Sequence, residues 1–104
     1  MNDKSQNIQR SILLEFKQGK KKTAILKQQE YLINNSKDND ARLNLAYMYV
    51  NSNLIKEAAK EYKIVLKNKQ DLQVMFNLAI CFLSLNKLHS SLIKLCSKII
   101  WADD

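Results

Sequence analysis

The side chains that most often perform catalysis are few in this sequence, and they are not grouped. His89 is the only histidine, and it has no clear cysteine or carboxylate partner at catalytic or metal-binding spacing. Cys81 and Cys96 lie in apolar segments, so we interpret them as buried thiols in a reducing compartment. No glycine-rich phosphate loop or nucleophile elbow is present. We therefore predict that the chain is not an enzyme and requires neither a metal nor a cofactor.

Asparagine offers a second kind of chemistry, hydrogen bonding by side-chain amides. Asn44 and Asn77 fall at corresponding places inside two predicted helices. Asparagine is a mediocre helix former, so its recurrence at these positions suggests that the side chain has a specific role. Each amide can both donate and accept hydrogen bonds, which is the chemistry needed to bind a peptide backbone.

Lysine dominates the charge of the chain. The formal net charge is +7, from 17 Lys and Arg against 10 Asp and Glu, and only Arg10 and Arg42 are arginines. Arginine is the side chain suited to bidentate contacts with phosphates and bases. The run at residues 20–22 is a lysine triplet without interleaved aromatic side chains for base stacking. We interpret it as a solvated cluster and do not expect nucleic acid as a partner, although an acidic partner stays an open hypothesis.

Nothing in the sequence predicts insertion into a membrane. The first residues are polar and do not resemble a signal peptide. No apolar run approaches the ~18 residues that a membrane-spanning helix needs. We therefore expect a cytoplasmic protein with no membrane span.

The apolar periodicity predicts six helices that would position these residues. Their predicted spans are about 6–18, 23–34, 41–51, 54–67, 72–85 and 87–101. Residues 1–5 are expected to be frayed. Asp38 or Asp40 is predicted to cap the third helix and Asp71 the fifth. The absence of proline and the single glycine argue against a β-rich fold.

Residue types recur along the chain at a nearly constant interval. Gly19, Asn53 and Asn86 fall at the predicted turns inside three helical hairpins, where a left-handed conformation is expected. The small residues that would allow close helix approach are Ala24, Ala46, Ala58, Ala79 and Ser91. The larger residues predicted to fill the space between helices are Tyr49, Tyr62, Phe82 and Leu95. A fixed period of this size predicts stacked repeats.

These residues resemble the tetratricopeptide repeat, a helical hairpin of about 34 residues. The matching positions are Leu45, Ala46, Tyr49, Asn53 in place of the usual glycine, Ala58 and Tyr62, and then Leu78, Ala79, Phe82, Asn86, Ser91 and Leu95. The first unit departs from the pattern, with Ile12 at the small position, Glu15 at the aromatic position and Gln28 where Tyr62 stands later. The proline usual at the end of each repeat is missing.

The resemblance implies an all-α fold. It would be a right-handed α-α superhelix, or solenoid, of three helix-turn-helix hairpins with about six helices. The chain would be a single domain over residues 1–104, with repeats at about 5–38, 39–71 and 72–104.

The resemblance also implies a scaffold that binds a peptide or protein in a concave groove lined by the first helix of each hairpin. The residues expected to line it are Arg10, Leu13, Leu43, Asn44, Tyr47, Phe76, Asn77 and Ile80. The apolar members could instead pack between neighbouring helices. The clamp that some family members use for chaperone tails is matched only by Asn44, so that function is not expected. A small secretion chaperone of the bacterial type and a helical annex of a larger enzyme stay alternatives.

The end of the chain suggests another alternative, self-association. A stack of repeats normally carries a polar capping helix, and none follows Trp101 in this sequence. The side chains expected to form the contact are Leu92, Ile99, Ile100 and Trp101. A homodimer is one hypothesis. A partner that covers this end, or a longer array of repeats, would equally explain the missing capping helix.

Overall fold

A computed structural model of the chain describes residues 3–85, which form five α-helices. These are α1 (Asp3–Lys17), α2 (Lys21–Asn34), α3 (Asn39–Asn51), α4 (Ile55–Asn68) and α5 (Leu72–Leu85). Residues 3–85 contain no β-strand, which confirms the all-α class. The predicted turn at Asn86 and the sixth helix at 87–101 lie outside the described residues.

The predicted helix bounds agree with the structure except at the beginning of the chain. The expectation that residues 1–5 are frayed is wrong for residues 3–5, because α1 already begins at Asp3. An acidic side chain in the first turn interacts favourably with the positive end of the helix dipole. The other bounds differ from the predictions by no more than about two residues, which is the usual uncertainty of helix ends.

The turns of the first two hairpins have the same geometry. Gly19 and Asn53 have positive φ angles of 96° and 62°, as predicted for both positions. The Lys20 amide donates to the Glu15 carbonyl oxygen at 3.0 Å, and the Leu54 amide donates to the Tyr49 carbonyl oxygen at 2.8 Å. These are the long bonds of a Schellman motif, which satisfy carbonyls left free at a helix C-terminus.

An aspartate caps the N-terminus of the first helix in both the second and the third predicted repeats. The Ala41 amide donates to Asp38 Oδ1 at 3.0 Å, and the Gln73 amide donates to Asp71 Oδ1 at 2.9 Å. Both predicted caps are therefore confirmed, with Asp38 rather than Asp40 at the start of α3. Because a cap pairs amides that have no partner inside the helix, these residues fix where α3 and α5 start.

Each helix packs on the next one along the chain, and α1 also contacts α3. Ala24, Ala46 and Ala58 are each 0% exposed, so the small side chains lie at closely packed positions, as predicted. Ala79 is exposed, in contrast to its counterpart Ala46, and Ser91 lies outside the described residues. The larger buried core side chains are Ile12, Phe16, Ile25, Leu32, Leu45, Met48, Tyr49, Tyr62, Val65 and Val74.

The five helices are 13 to 15 residues long. Within residues 3–85, none is sufficiently long and apolar to cross a bilayer.

Candidate functional site

Two of the predicted groove residues, one on α1 and one on α3, come together around a small polar cavity. Its volume is about 280 Å³, and Arg10 and Asn44 both line it. The other lining residues are polar except for one alanine: Ser5, Gln6, Gln9, Asp38, Asp40 and Ala41. The charges nearest this cavity are therefore mixed, with one guanidinium and two carboxylates.

Asn44 takes part in a chain of side-chain amides beneath this cavity. Its Nδ2 donates to Gln9 Oε1 at 2.9 Å, and Gln28 Nε2 donates to the same oxygen at 2.6 Å. Gln28 Nε2 also donates to the Ala41 carbonyl oxygen at 2.7 Å. At Asn44, an asparagine inside a helix is therefore explained by a contact within the fold, because its side-chain amide connects α3 to α1.

Gln28 is a buried residue whose structural role the repeat pattern did not predict. It is 0% exposed, whereas Tyr62 fills the corresponding position of the next repeat with an aromatic ring. A buried amide is costly unless it is hydrogen-bonded, so Gln28 depends on Gln9 and Ala41. The signal in the sequence was a polar residue at a position where the repeat pattern calls for a large apolar one.

A second cavity is lined by α3, α4 and α5, and three of the predicted site residues line it. Its volume is about 230 Å³, and Tyr47, Asn77 and Ile80 line it. The remaining lining residues are Val50, Asn51, Ile55, Tyr62, Cys81 and Ser84. Tyr47 and Ile80 are 44% and 46% exposed, so their apolar surface is accessible from solvent. This cavity joins exposed apolar groups to amides that can form hydrogen bonds, the usual composition of a small binding pocket.

The deepest side of this cavity contains two groups that stay protonated at neutral pH. Burial raises the pKa of the Cys81 thiol above its usual value. Burial, and then the neighbouring Cys81, raises the pKa of Tyr62. A thiol that stays protonated is a poor nucleophile, so Cys81 fits the predicted buried thiol better than a reactive one.

Aromatic and basic side chains contact one another next to two lining residues of this cavity, Tyr47 and Asn51. The rings of Phe16 and Tyr47 are 6.0 Å apart between centroids and tilted by 57°. Lys21 Nζ lies 5.7 Å from the Phe16 ring centroid and donates to the Asn51 carbonyl oxygen at 3.1 Å. One lysine of the basic run is therefore not merely solvated, because it joins α2 to the C-terminal end of α3. A cation is favourable at that end of a helix dipole.

The other predicted groove residues are divided between core and surface. Leu13 and Leu43 are partly buried and pack against the core, as in the alternative interpretation of the apolar residues. Phe76 is 62% exposed on α5. Asn77 Oδ1 accepts a hydrogen bond from Gln73 Nε2 at 3.2 Å within the same helix. Asn77 thus has a local partner, whereas Asn44 has one on another helix.

Two polar contacts between helices had no signal in the repeat pattern. The Tyr31 hydroxyl donates to Asp38 Oδ2 at 2.7 Å and is also hydrogen-bonded to the Ser5 hydroxyl. The Ser5 bond lowers the pKa of Tyr31, but Asp38 and burial together raise it above its usual value. Arg42 Nη1 donates to Glu61 Oε1 at 2.8 Å, with both side chains largely buried.

The predicted self-association residues, Leu92, Ile99, Ile100 and Trp101, lie outside the described residues, as do His89 and Cys96. Within residues 3–85, no three histidine, cysteine or carboxylate side chains are grouped as a metal site would require. Searches of family models, curated proteins and solved structures with this chain gave no match.

Proposed function

We propose that this protein is a non-enzymatic scaffold that binds a peptide or protein segment along the surface formed by α1, α3 and α5. The observation that carries the proposal is the cavity of about 230 Å³ lined by α3, α4 and α5, where Tyr47 and Ile80 leave apolar surface accessible beside the amide of Asn77. Exposed apolar side chains provide affinity for a partner, and amides can satisfy its backbone.

The proposed architecture is a solenoid of three tetratricopeptide-like hairpins with six helices. Support comes from the shared turn geometry at Gly19 and Asn53 and from the closely packed alanines of the first two hairpins. In this arrangement α1, α3 and α5 are the first helices of their hairpins. The surface between them is then the concave groove to which a partner binds.

A charge placed in the cavity tests this proposal. A random peptide library displayed on phage is selected against the full chain, and selected peptides are measured against the variants Ile80→Lys and Ile33→Lys. Ile33 is the matched control, since it is 78% exposed on α2 and does not line this cavity. We expect Ile80→Lys to weaken binding by about ten-fold or more, because a buried ammonium without a partner is unfavourable.

Two outcomes contradict the groove proposal. Either the library yields no peptide that binds, or both variants bind the selected peptides equally well. Asn44 is unsuitable for this experiment, because its substitution would also break the hydrogen bond to Gln9.

A second candidate function is self-association, favoured by the composition of α5. Its exposed apolar side chains include Leu72, Met75, Phe76, Ile80, Phe82, Leu83 and Leu85. A surface of this kind on a helix usually contacts another protein surface. The secretion-chaperone and enzyme-annex alternatives have no observation within residues 3–85 that favours them.

A further inference from the structure

The outer side of α4 carries a straight row of four lysines, which we call the lysine row. Its members are Lys56, Lys60, Lys63 and Lys67, all exposed. They follow one another at steps of four, three and four residues, so they share one face of the helix over about 16 Å. This face is opposite the buried side chains Ala58 and Tyr62, which pack on the neighbouring helices.

The carboxylates of α4 do not neutralise the lysine row. Glu57 forms no ion pair with any described residue, and Glu61 pairs with Arg42 of α3 at 2.8 Å. The ion pair between Lys27 and Glu15 likewise involves no member of the row. Like charges three and four residues apart on a helix repel one another, so an anionic partner would relieve this repulsion.

Within residues 3–85, α2 has no lysine row that corresponds to the one on α4. The corresponding positions of the preceding predicted repeat are Lys22, Leu26, Gln29 and Ile33, of which one is basic. Leu26 and Ile33 are 64% and 78% exposed, so this part of the outer surface is apolar rather than cationic. A nucleic-acid duplex normally engages lysines and arginines over a wider patch. An anionic membrane surface would favour large apolar side chains along the whole length of the lysine row. Beside the row are Ile64 of α4 and Phe82 of α5, which are 36% and 41% exposed.

We propose that the lysine row binds an acidic helical segment of a partner protein, with Asp or Glu at steps of four, three and four residues. Such a segment presents carboxylates along one line at the same rise per residue, so each can meet one ammonium group. Lys63 Nζ is also 5.2 Å from the centroid of the Phe82 ring, which restrains the middle of the row. This site is separate from the proposed groove, because it lies on the opposite side of α4 from Tyr62, a residue lining the cavity.

The experiment uses the full chain and two synthetic helical peptides of identical composition. In one peptide four glutamates follow the four-three-four spacing, and in the other they are distributed around the helix. Binding is measured by fluorescence anisotropy for the unaltered protein and for two variants. One variant replaces Lys56, Lys60, Lys63 and Lys67 with Gln; the matched control replaces the exposed Lys17, Lys20, Lys22 and Lys37 with Gln. Both variants remove the same charge, and circular dichroism checks that both are folded.

We expect the patterned peptide to bind about ten-fold more tightly than its scrambled counterpart, and only the variant of the lysine row to lose this preference. Equal binding of the two peptides, or equal loss in the two variants, would overturn the proposal, since only net charge would matter. A single-stranded oligonucleotide and vesicles of an anionic phospholipid are tested in parallel. Binding of either through the lysine row, without binding of the patterned peptide, would also overturn it.

Discussion

At the scale of single residues, the first hairpin differs from the second in the chemistry of one buried position. Tyr62 fills the space in the second hairpin with an aromatic ring, whereas Gln28 fills it in the first with an amide. Its Nε2 group donates to Gln9 and to the Ala41 carbonyl oxygen, whereas its Oε1 has no hydrogen-bond partner among the described residues. The same Gln9 oxygen also accepts from Asn44, so one small network joins α1, α2 and α3.

Removing the buried amide should therefore destabilise the protein. We expect Gln28→Ala to lower the free energy of unfolding by about 2–4 kcal/mol, because a cavity forms and the Ala41 carbonyl oxygen and Gln9 Oε1 each lose one hydrogen bond. Urea denaturation followed by circular dichroism measures this change. The control Gln6→Ala, at an exposed position of α1, should stay within about 0.5 kcal/mol of the unaltered protein. A Gln28→Ala midpoint equal to that control would contradict the role given to the network.

Tyr62 should make stability depend on alkaline pH. Its pKa is raised in the folded state, chiefly by burial, so the folded protein keeps a proton that the unfolded chain loses above about pH 10. Stability from this group is complete below that pH and is lost as the pH rises through the raised value. We expect Tyr62→Phe to lose less stability than the unaltered protein between about pH 9 and about pH 11. Urea titrations across this range measure the slopes, and parallel slopes would exclude Tyr62 as the cause.

At the scale of helices and turns, the two hairpins formed by α1 to α4 are built by the same local rules. Gly19 and Asn53 both adopt positive φ and close the preceding helix with the same long hydrogen bond. No heavy atom outside the turn lies within 4 Å of the Cβ that Gly19 lacks. The requirement at Gly19 is thus conformational rather than steric.

Substitutions at Gly19 and Asn53 test whether these turns require a residue that adopts the left-handed conformation. We expect Gly19→Ala and Asn53→Ala each to cost about 1–2 kcal/mol of stability, because alanine is unfavourable in the left-handed region. Asn53→Gly should be neutral within about 0.5 kcal/mol or slightly stabilising, since glycine adopts this conformation readily. Chemical denaturation of the three variants tests the pattern. An alanine as well tolerated as glycine at Asn53 would be evidence against a strained turn.

The ion pair between α3 and α4 should contribute more than the one on the surface. The side chains of Arg42 and Glu61 are 12% and 15% exposed, against 53% and 20% for Lys27 and Glu15. Double-mutant cycles to alanine should give a coupling energy of about 1–3 kcal/mol for the first pair. For the second pair we expect about 0–1 kcal/mol, because solvent screens an exposed pair. Equal coupling energies would mean that burial does not strengthen the Arg42–Glu61 contact.

At the scale of the whole molecule, the contacts between helices follow the order of the chain. Each helix of residues 3–85 packs on the next, and only α1 and α3 make a contact beyond that. The last of them, α5, has the most apolar composition of the five and exposes Leu72 and Phe76 at 83% and 62%. The order of contacts supports the proposed stack, and the composition of α5 supports a further contact at that end.

Self-association through the C-terminal residues can be measured directly. If it occurs, light scattering should show an average mass above that of the monomer, rising with protein concentration. We expect replacement of Ile100 and Trp101 by Lys to return the mass to that of a monomer, because charged side chains oppose an apolar contact. The matched control is Ile33→Lys on α2, which should leave the mass unchanged. A monomer at every concentration would rule out the homodimer hypothesis.

The sequence by itself determined the features of residues 3–85 that depend on near neighbours in the chain. The helical class, most helix bounds, the left-handed turns at Gly19 and Asn53 and the caps at Asp38 and Asp71 all followed from local patterns. These features are predictable because hydrophobic periodicity and backbone conformation act over a few residues.

Only the tertiary structure decided which polar side chains serve the fold and which stay accessible. Asn44 and Asn77 looked equivalent, and each lines a cavity. Asn44, however, donates to Gln9 on another helix, whereas Asn77 accepts from Gln73 within its own helix. Glu61 likewise pairs with Arg42 of α3 rather than with a lysine of α4. Such pairings depend on the distance and orientation of packed helices, which side-chain spacing along one helix does not specify.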